Sequence, residues 1–162
     1  MSISLVRWRG STVAVVKIES AASVEALRKL RNQTSAGFSS FNGHISADDQ
    51  KRWWEEMRHR IRGWTYWTYA ESVPLAPIGF GLVREEDGRW WNSIGVSPDF
   101  QGRGFGSLIT HDVLVRFGGV VFAAVRLDNA PALLMHHKFD WEEIDGPEPE
   151  RLRYFRSNTG AA

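Results

Sequence analysis

The chain has 162 residues, 43% of them hydrophobic and 24% charged, and its 20 basic and 19 acidic side chains leave a formal net charge of +1. That length suits one well-buried core, so residues 1–162 are expected to form a single domain, and so small a net charge gives no field that recruits nucleic acid or an anionic membrane. The absence of cysteine removes disulfides, thiolate metal sites and a cysteine nucleophile together.

The first twenty residues, "MSISLVRWRGSTVAVVKIES", lack the uninterrupted apolar core of a signal peptide, and nowhere do about 18 apolar residues run together. A cytoplasmic protein is expected. "STVAVVKI" (11–18) alternates and is β-branched, which predicts a strand. "SVEALRKLRNQT" places Val24, Leu27 and Leu30 at helical spacing, and a Gly/Ser/Asn loop follows. Ser46 with Asp49 three residues later has the form of a capping box. The stripe of Trp53, Trp54, Met57 and Ile61 then predicts a second helix through "ADDQKRWWEEMRHRIR". "WTYWTYAE", "PIGFGLVREE" and "RWWNSIGV" read as strands, the last two joined at the hairpin pair Asp87-Gly88. A third helix over "SLITHDVLVRF", a strand "VVFAAVRL", a short helix "APALLMHHKF" and strands around "DWEEI" and "RLRYFRS" complete the chain, whose two ends carry no predicted element.

Between "RWWNSIGV" and the third helix lies "SPDFQGRGFG", with Gly102, Gly104 and Gly106 in five positions. Glycine there sits where a strand delivers the chain to a helix N-terminus, which gathers unpaired N–H groups and the positive end of the helix dipole. The cluster fits either a tight turn with positive φ angles or an anion site, with Arg103 adding charge and Ser107 a hydroxyl; three glycines favour the anion. The loop is not a nucleotide-triphosphate loop, because no Gly-Lys pair occurs, and its G-x-G-x-G spacing departs from the dinucleotide G-x-G-x-x-G. Eight tryptophans stand mostly in pairs, as core residues or as the walls of an aromatic pocket.

Gln101, Gly104 and Gly106 spell Q-x-x-G-x-G after "IGVSPDF", which resembles the acetyl-CoA-binding signature of the GNAT superfamily of acyl-CoA-dependent N-acyltransferases. The segment "LDNAPALLMHHKFDW" is similar to that family's N-x-x-A-x-x-x-Y-x-x-x-G-[FW] stretch, with Asn129, Ala132, Lys138 and Trp141 in register; His136 replaces the usual tyrosine and Asp140 the glycine. The resemblance implies an α/β fold whose mixed, mostly antiparallel sheet splays between its fourth and fifth strands and is flanked by about four helices. It implies acetyl-CoA as cosubstrate and no metal. The main chain of Ile94, Gly95 and Val96 would hold the thioester or pantetheine, with the Val96 N–H stabilising the developing oxyanion. Residues Gln101, Gly102, Arg103, Gly104, Phe105, Gly106 and Ser107 would hold the pyrophosphate, Asn129 would meet the pantetheine arm, and His136 would protonate the departing thiolate.

With no cysteine to carry the acyl group, direct transfer to a primary amine in a ternary complex is expected. "LRKLRNQT" with "HISADDQKRWW" is similar to a GNAT subgroup that acetylates nucleotide-linked amino sugars, which implies a small, nucleotide-linked acceptor bound by Asn32, Phe41, His44, Trp53 and Trp54. An acceptor phosphate would find Arg28, Arg31, Lys51, Arg52, Arg58, Arg60 and Arg62 in the same half. A nucleobase amine, a protein amine and a non-catalytic CoA-binding module stay open, as does a homodimer. Glu85, Glu86, Asp99 and His44 are unranked candidates for the base.

Overall fold

A computed structural model of the chain describes residues 2–34 and 43–158. Its centre is one eight-stranded sheet in the order β1-β2-β3-β4-β5-β6-β8-β7. The strands are β1 (Ile3–Trp8), β2 (Ser11–Lys17), β3 (Ile61–Ala70), β4 (Val73–Glu86), β5 (Arg89–Val96), β6 (Phe122–Arg126), β7 (Glu142–Ile144) and β8 (Leu152–Arg156). Four α-helices cover it: α1 (Ala21–Thr34), α2 (Ala47–Met57), α3 (Phe105–Phe117) and α4 (Ala130–Lys138). Every pairing is antiparallel except β5 with β6. Among the described residues no helix is long and apolar enough to cross a membrane.

Two cores form on opposite faces of the sheet. Leu27 and Leu30 of α1 meet Ile61, Phe80 and Leu82, with Trp53, Trp54 and Met57 of α2 packed around them. On the other face Ile109, Val113 and Leu114 of α3 bury against Val13, Val15, Tyr66 and Val83, joined by Val121, Trp141 and Phe155. The Tyr66 hydroxyl donates to Asp112 Oδ2 at 2.7 Å within this second core, and the same oxygen accepts from Arg116 Nε at 2.6 Å. Burial and the Asp112 charge push the Tyr66 pKa well above its ordinary value, so the phenol stays a donor.

Local chemistry explains most boundaries. Ser46 caps α2 by accepting the Asp49 N–H at 3.1 Å. Ser20 and Ser23 exchange side-chain-to-backbone bonds at the start of α1, Ser23 N to Ser20 Oγ at 3.2 Å and Ser20 N to Ser23 Oγ at 2.9 Å. Asp87 and Gly88 both take positive φ, 52° and 78°, as a two-residue hairpin turn requires.

Two elements differ from the sequence expectation. The amino-terminal stretch forms β1, an edge strand antiparallel to β2 through the turn Arg9-Gly10; its residues alternate between exposed and half-buried, so no apolar run marks it. The helix expected through residue 62 stops at Met57, a 3₁₀ turn spans Arg58–Arg60, and Ile61 opens β3 opposite Arg84. Helical spacing placed Ile61 on the tryptophan stripe; the ladder to β4 claims it instead, and its side chain still reaches the same core.

The β3–β4 turn carries strain at Glu71 (φ 52°) and Ser72 (φ 65°), neither of them glycine. Ser72→Gly is expected to raise thermal stability by roughly 0.5–1 kcal/mol, since glycine adopts that φ without steric cost. Unchanged or lower stability on chemical denaturation would show that the turn is not strained.

Candidate active site

Strands β5 and β6 touch at one registered pair, Trp91 with Phe122, and diverge beyond it. The gap opens into a cavity of about 800 Å³ that reaches both faces of the sheet. Its walls include Ile94, Gly95 and Val96 of β5, Gly104 to Ser107 at the start of α3, Ala123 to Val125 of β6, and Asn129, Met135 and His136 around α4.

The β5 main chain is oriented by its other neighbour. Ser97 N donates to Ile78 O at 2.7 Å. In an antiparallel ladder bonded pairs alternate, so Gly95 and Ser93 also face β4, while the main-chain groups of Ile94 and Val96 turn toward the gap. The Val96 carbonyl is occupied there by Gln101 Nε2 at 3.0 Å. The Val96 N–H and the Ile94 peptide remain available. Gly95 is required by packing, because a Cβ would stand 2.4 Å from the Phe80 ring and 2.7 Å from Thr34 Oγ1.

The glycine loop divides its labour. Gly102 (φ 75°) and Gly104 (φ 83°) turn the chain through the left-handed region. Gly106 does not: a Cβ there would make ordinary 3.9 Å contacts with Met135 Sδ and Val96 Cγ2, so its missing side chain keeps the mouth of the gap open. Gly104 is the N-cap of α3 and offers no side chain to the first turn. The N–H groups of Phe105, Gly106 and Ser107 therefore lack a capping partner at the positive end of the helix.

The other expected residues fall into different positions. Gln101 uses its amide to fix the loop against β5. Arg103 lies over the Phe100 ring at 5.4 Å, outside the cavity lining. Asn129 caps α4, its Oδ1 accepting the Ala132 N–H at 3.3 Å, and lines the gap. Asp140 holds a φ of 56° at the family's glycine position, a conformation Asp tolerates better than most residues.

The residues expected on the acceptor side lie in different places. Trp53 lines the cavity. Trp54 packs beside it in the α1/α2 core, ring centroids 6.5 Å apart, without lining the cavity. Asn32 is fully engaged elsewhere, donating to Ile45 O at 3.0 Å and accepting from Ile45 N at 2.7 Å, so it clamps the chain entering α2. His44 is exposed and off the cavity, and Phe41 lies outside the described residues. Glu85, Glu86, Asp99 and His44, the candidate bases, do not line the cavity either.

His136 is 3% exposed, stacked on Phe155 at 4.9 Å and edge-on to Trp141 at 4.7 Å. Its Nδ1 stands 2.6 Å from Ala132 O. A carbonyl only accepts, so Nδ1 carries the proton, and Nε2 of the neutral ring is a buried acceptor without a partner. Burial, and less so the charge of His137, lowers the His136 pKa against the opposing carbonyl bond. The ring is thus neutral near pH 7 and presents a lone pair; the proton-donor role expected from its position does not follow from this geometry.

Residues that sequence reasoning left out are arginines. Arg9, in the β1–β2 turn, donates from Nη1 to the carbonyl of Arg103, 94 residues away in the chain, at 3.2 Å and covers Gly104. Arg84 of β4 lines the cavity, as does Arg31, alone among the seven basic residues proposed for an acceptor phosphate. Of the others, Arg28 is tied to Glu25 and Arg52 to Asp49.

The buried neutral ring has a pH signature. A histidine pKa lowered by folding means that the unfolded chain binds the proton first, so its contribution is intact above about pH 6.5 and is lost as pH falls through the folded-state value. Wild type is expected to lose stability over that descent more steeply than His136→Phe, by at most about 1.4 kcal/mol per pH unit. Parallel curves would mean that His136 takes up its proton in the fold.

Comparison with known proteins agrees with this architecture. Residues 26–141 match the acetyltransferase (GNAT) family. N-alpha-acetyltransferase RimI of Mycobacterium tuberculosis (strain ATCC 25618 / H37Rv) is 36% identical over 66 residues, 40% of this chain, and the matched stretch spans 39% of that protein. Two solved structures share the fold: yncA, a putative acetyltransferase from Salmonella typhimurium with its cofactor acetyl-CoA (TM-score 0.67, 17% identity, covering 91% of this chain and 94% of that one), and spermidine N-acetyltransferase from Vibrio cholerae with CoA and spermine (TM-score 0.68, 15% identity, 89% and 92%). The expected kinship with enzymes of nucleotide-linked amino sugars finds no support among these proteins. A splayed sheet, an uncapped helix start beside a glycine loop and a family match over most of the chain converge on one conclusion: the protein belongs to the acetyltransferase (GNAT) family.

Proposed function

We propose that the chain transfers an acetyl group from acetyl-CoA to a primary amine by direct attack, with both substrates held in the cavity between β5 and β6. The observation that carries this reading is the gap itself, in which unpaired β5 main-chain groups at one wall meet an uncapped helix start at the other. These features fit the cosubstrate: the open N–H groups of the first α3 turn suit a pyrophosphate, and the gap past Gly106 suits an extended pantetheine chain. Bound acetyl-CoA supplies an activated thioester carbonyl.

The protein's own groups do the rest. The Val96 N–H, fixed by the β4 ladder, donates a hydrogen bond where negative charge grows on an acyl oxygen, with no reorganisation needed. Gln101 locks the carbonyl of the same residue, so the strand end and the phosphate loop keep one relative position. His136 Nε2 accepts a hydrogen bond from a donor entering the gap and holds α4 beside it. Arg9 supplies positive charge above the loop without filling it. Holding the amine within reach of the carbonyl contributes much of the rate. The acceptors named for the similar proteins, a protein N-terminus and spermidine, are the two classes with which to begin.

Two measurements test this reading. Initial rates varied in both substrates should give intersecting double-reciprocal lines, because no cysteine is available to carry an acyl group; parallel lines would replace direct transfer with an acyl-enzyme. Gly104→Asp should weaken CoA binding by about 10²-fold or more while the protein stays folded. Its carboxylate would stand beside the Arg9 guanidinium, 2.9 Å from the Cβ position, and repel the pyrophosphate. The positive φ adds a stability cost of about 1–2 kcal/mol. A folded variant with wild-type affinity in calorimetry would remove the loop from the CoA site.

A further inference from the structure

The cavity has an arginine wall on the face away from α3. Arg31 of α1 and Arg84 of β4 line it there, with Trp53 and Ser93 between α2 and β5. Arg31 is half-buried and held entirely by neutral groups: its guanidinium lies 4.9 Å from the Trp53 ring centroid, and Nη1 donates to Gln50 Oε1 at 3.3 Å. No carboxylate among the described residues pairs with it, and residues 35–42, "SAGFSSFN", contain none. Burial first, and the Arg84 charge second, pull its pKa below the ordinary arginine value, as befits a cation without a counterion. Among the described residues Arg84 pairs only with the surface Glu86, at 3.0 Å, an exposed pair of the weak, exchangeable kind. Among the described residues the single acid in the lining is Asp128, which follows β6 and is already paired with Arg126.

We propose that the acceptor is a primary amine that also carries an anionic group, a carboxylate or a phosphate, which Arg31 and Arg84 bind while the amine points through the gap toward Val96. This deepens the transferase reading and rests on it. A partly desolvated guanidinium costs free energy unless an anion completes it, and its planar donors suit either oxyanion. A polycation such as spermidine meets repulsion at the same wall.

The experiment pairs acceptors that differ only in the anion. L-Glutamate is compared with its neutral diamide, and 2-aminoethyl phosphate with ethanolamine, with spermidine as the polycation; thiol release reports transfer. Binding is read separately, on CoA-loaded protein, from the ¹⁵N shifts of the Arg31 and Arg84 side chains. The anionic member of at least one pair should bind and react at least ~10-fold better, and the pair showing it separates carboxylate from phosphate. Arg31→Gln and the more exposed Arg84→Gln should each cut that preference ~10- to 100-fold through the acceptor KM, leaving the acetyl-CoA KM and the neutral amines unchanged. Equal use of both members, a preference for spermidine, or a rise in the acetyl-CoA KM alone would overturn the proposal. Shifts from the anionic amines with no thiol release in any arm would uphold the anion site and overturn the transfer reading instead.

Discussion

The structure depends on a strand that is paired along one edge and abandoned along the other. β5 exchanges its full ladder with β4 from Glu86 and Arg89 to Gly79 and Val96, yet meets β6 only at Trp91 and Phe122. Backbone N–H and C=O groups left unpaired in the middle of a sheet are costly unless something else satisfies them. The chain accepts that cost along Ile94 and Val96 and uses Gln101 to relieve one carbonyl. What remains is a set of oriented donors and acceptors facing a slot, a binding surface made of main chain rather than of side chains.

Around this slot each element has a separate task. α3 begins with no side-chain cap and so turns bare N–H groups to the opening. α4 begins with Asn129 as its cap and brings Met135 and His136 to the opposite lip, where Thr110 Oγ1 reaches Met135 Sδ at 3.3 Å and ties the two helices together. The β1–β2 hairpin, far from the slot in sequence, lays Arg9 across the glycine loop. On the other face α1 and α2 shape a cationic recess rather than an acidic one. One opening therefore joins two chemically distinct compartments, and the acetyl group is expected to pass at their junction.

Much of this was legible in the sequence because it rests on local chemistry. The Asp87-Gly88 turn, the Ser46 cap, the apolar stripes of α1 and α3 and the loop from Gln101 to Ser107 all announce themselves by residue type and spacing. What stayed hidden is set by tertiary contact. β1 has one exposed and one half-buried face, with the apolar Ile3 and Leu5 on the exposed one, so its sequence shows no apolar alternation to read. Ile61 fits the helical period and is taken by a strand. Asn32, beside Arg31, suggested a substrate contact; its carboxamide instead copies a peptide group for Ile45. His136 occupies the family's tyrosine position, but only the structure shows the carbonyl that fixes its tautomer. Arg84 sits in a strand whose sequence says nothing about which face meets the cavity.

The narrow join between β5 and β6 has a consequence for cooperativity. Its aromatic knot, Trp91 against Phe122 at 5.5 Å and Tyr154 at 6.3 Å, pins one end of the divide, and among the described residues no second ladder pair joins β5 to β6. The sheet is thus two smaller sheets, β1 to β5 and β6 to β8, sharing a hinge, and such units open with separate local free energies. A ligand lying along the slot bridges both. It acts as a temporary rung of the ladder, so occupancy should fuse the two halves into one cooperative unit and slow amide exchange in β6, which lines the slot, and in β8 behind it.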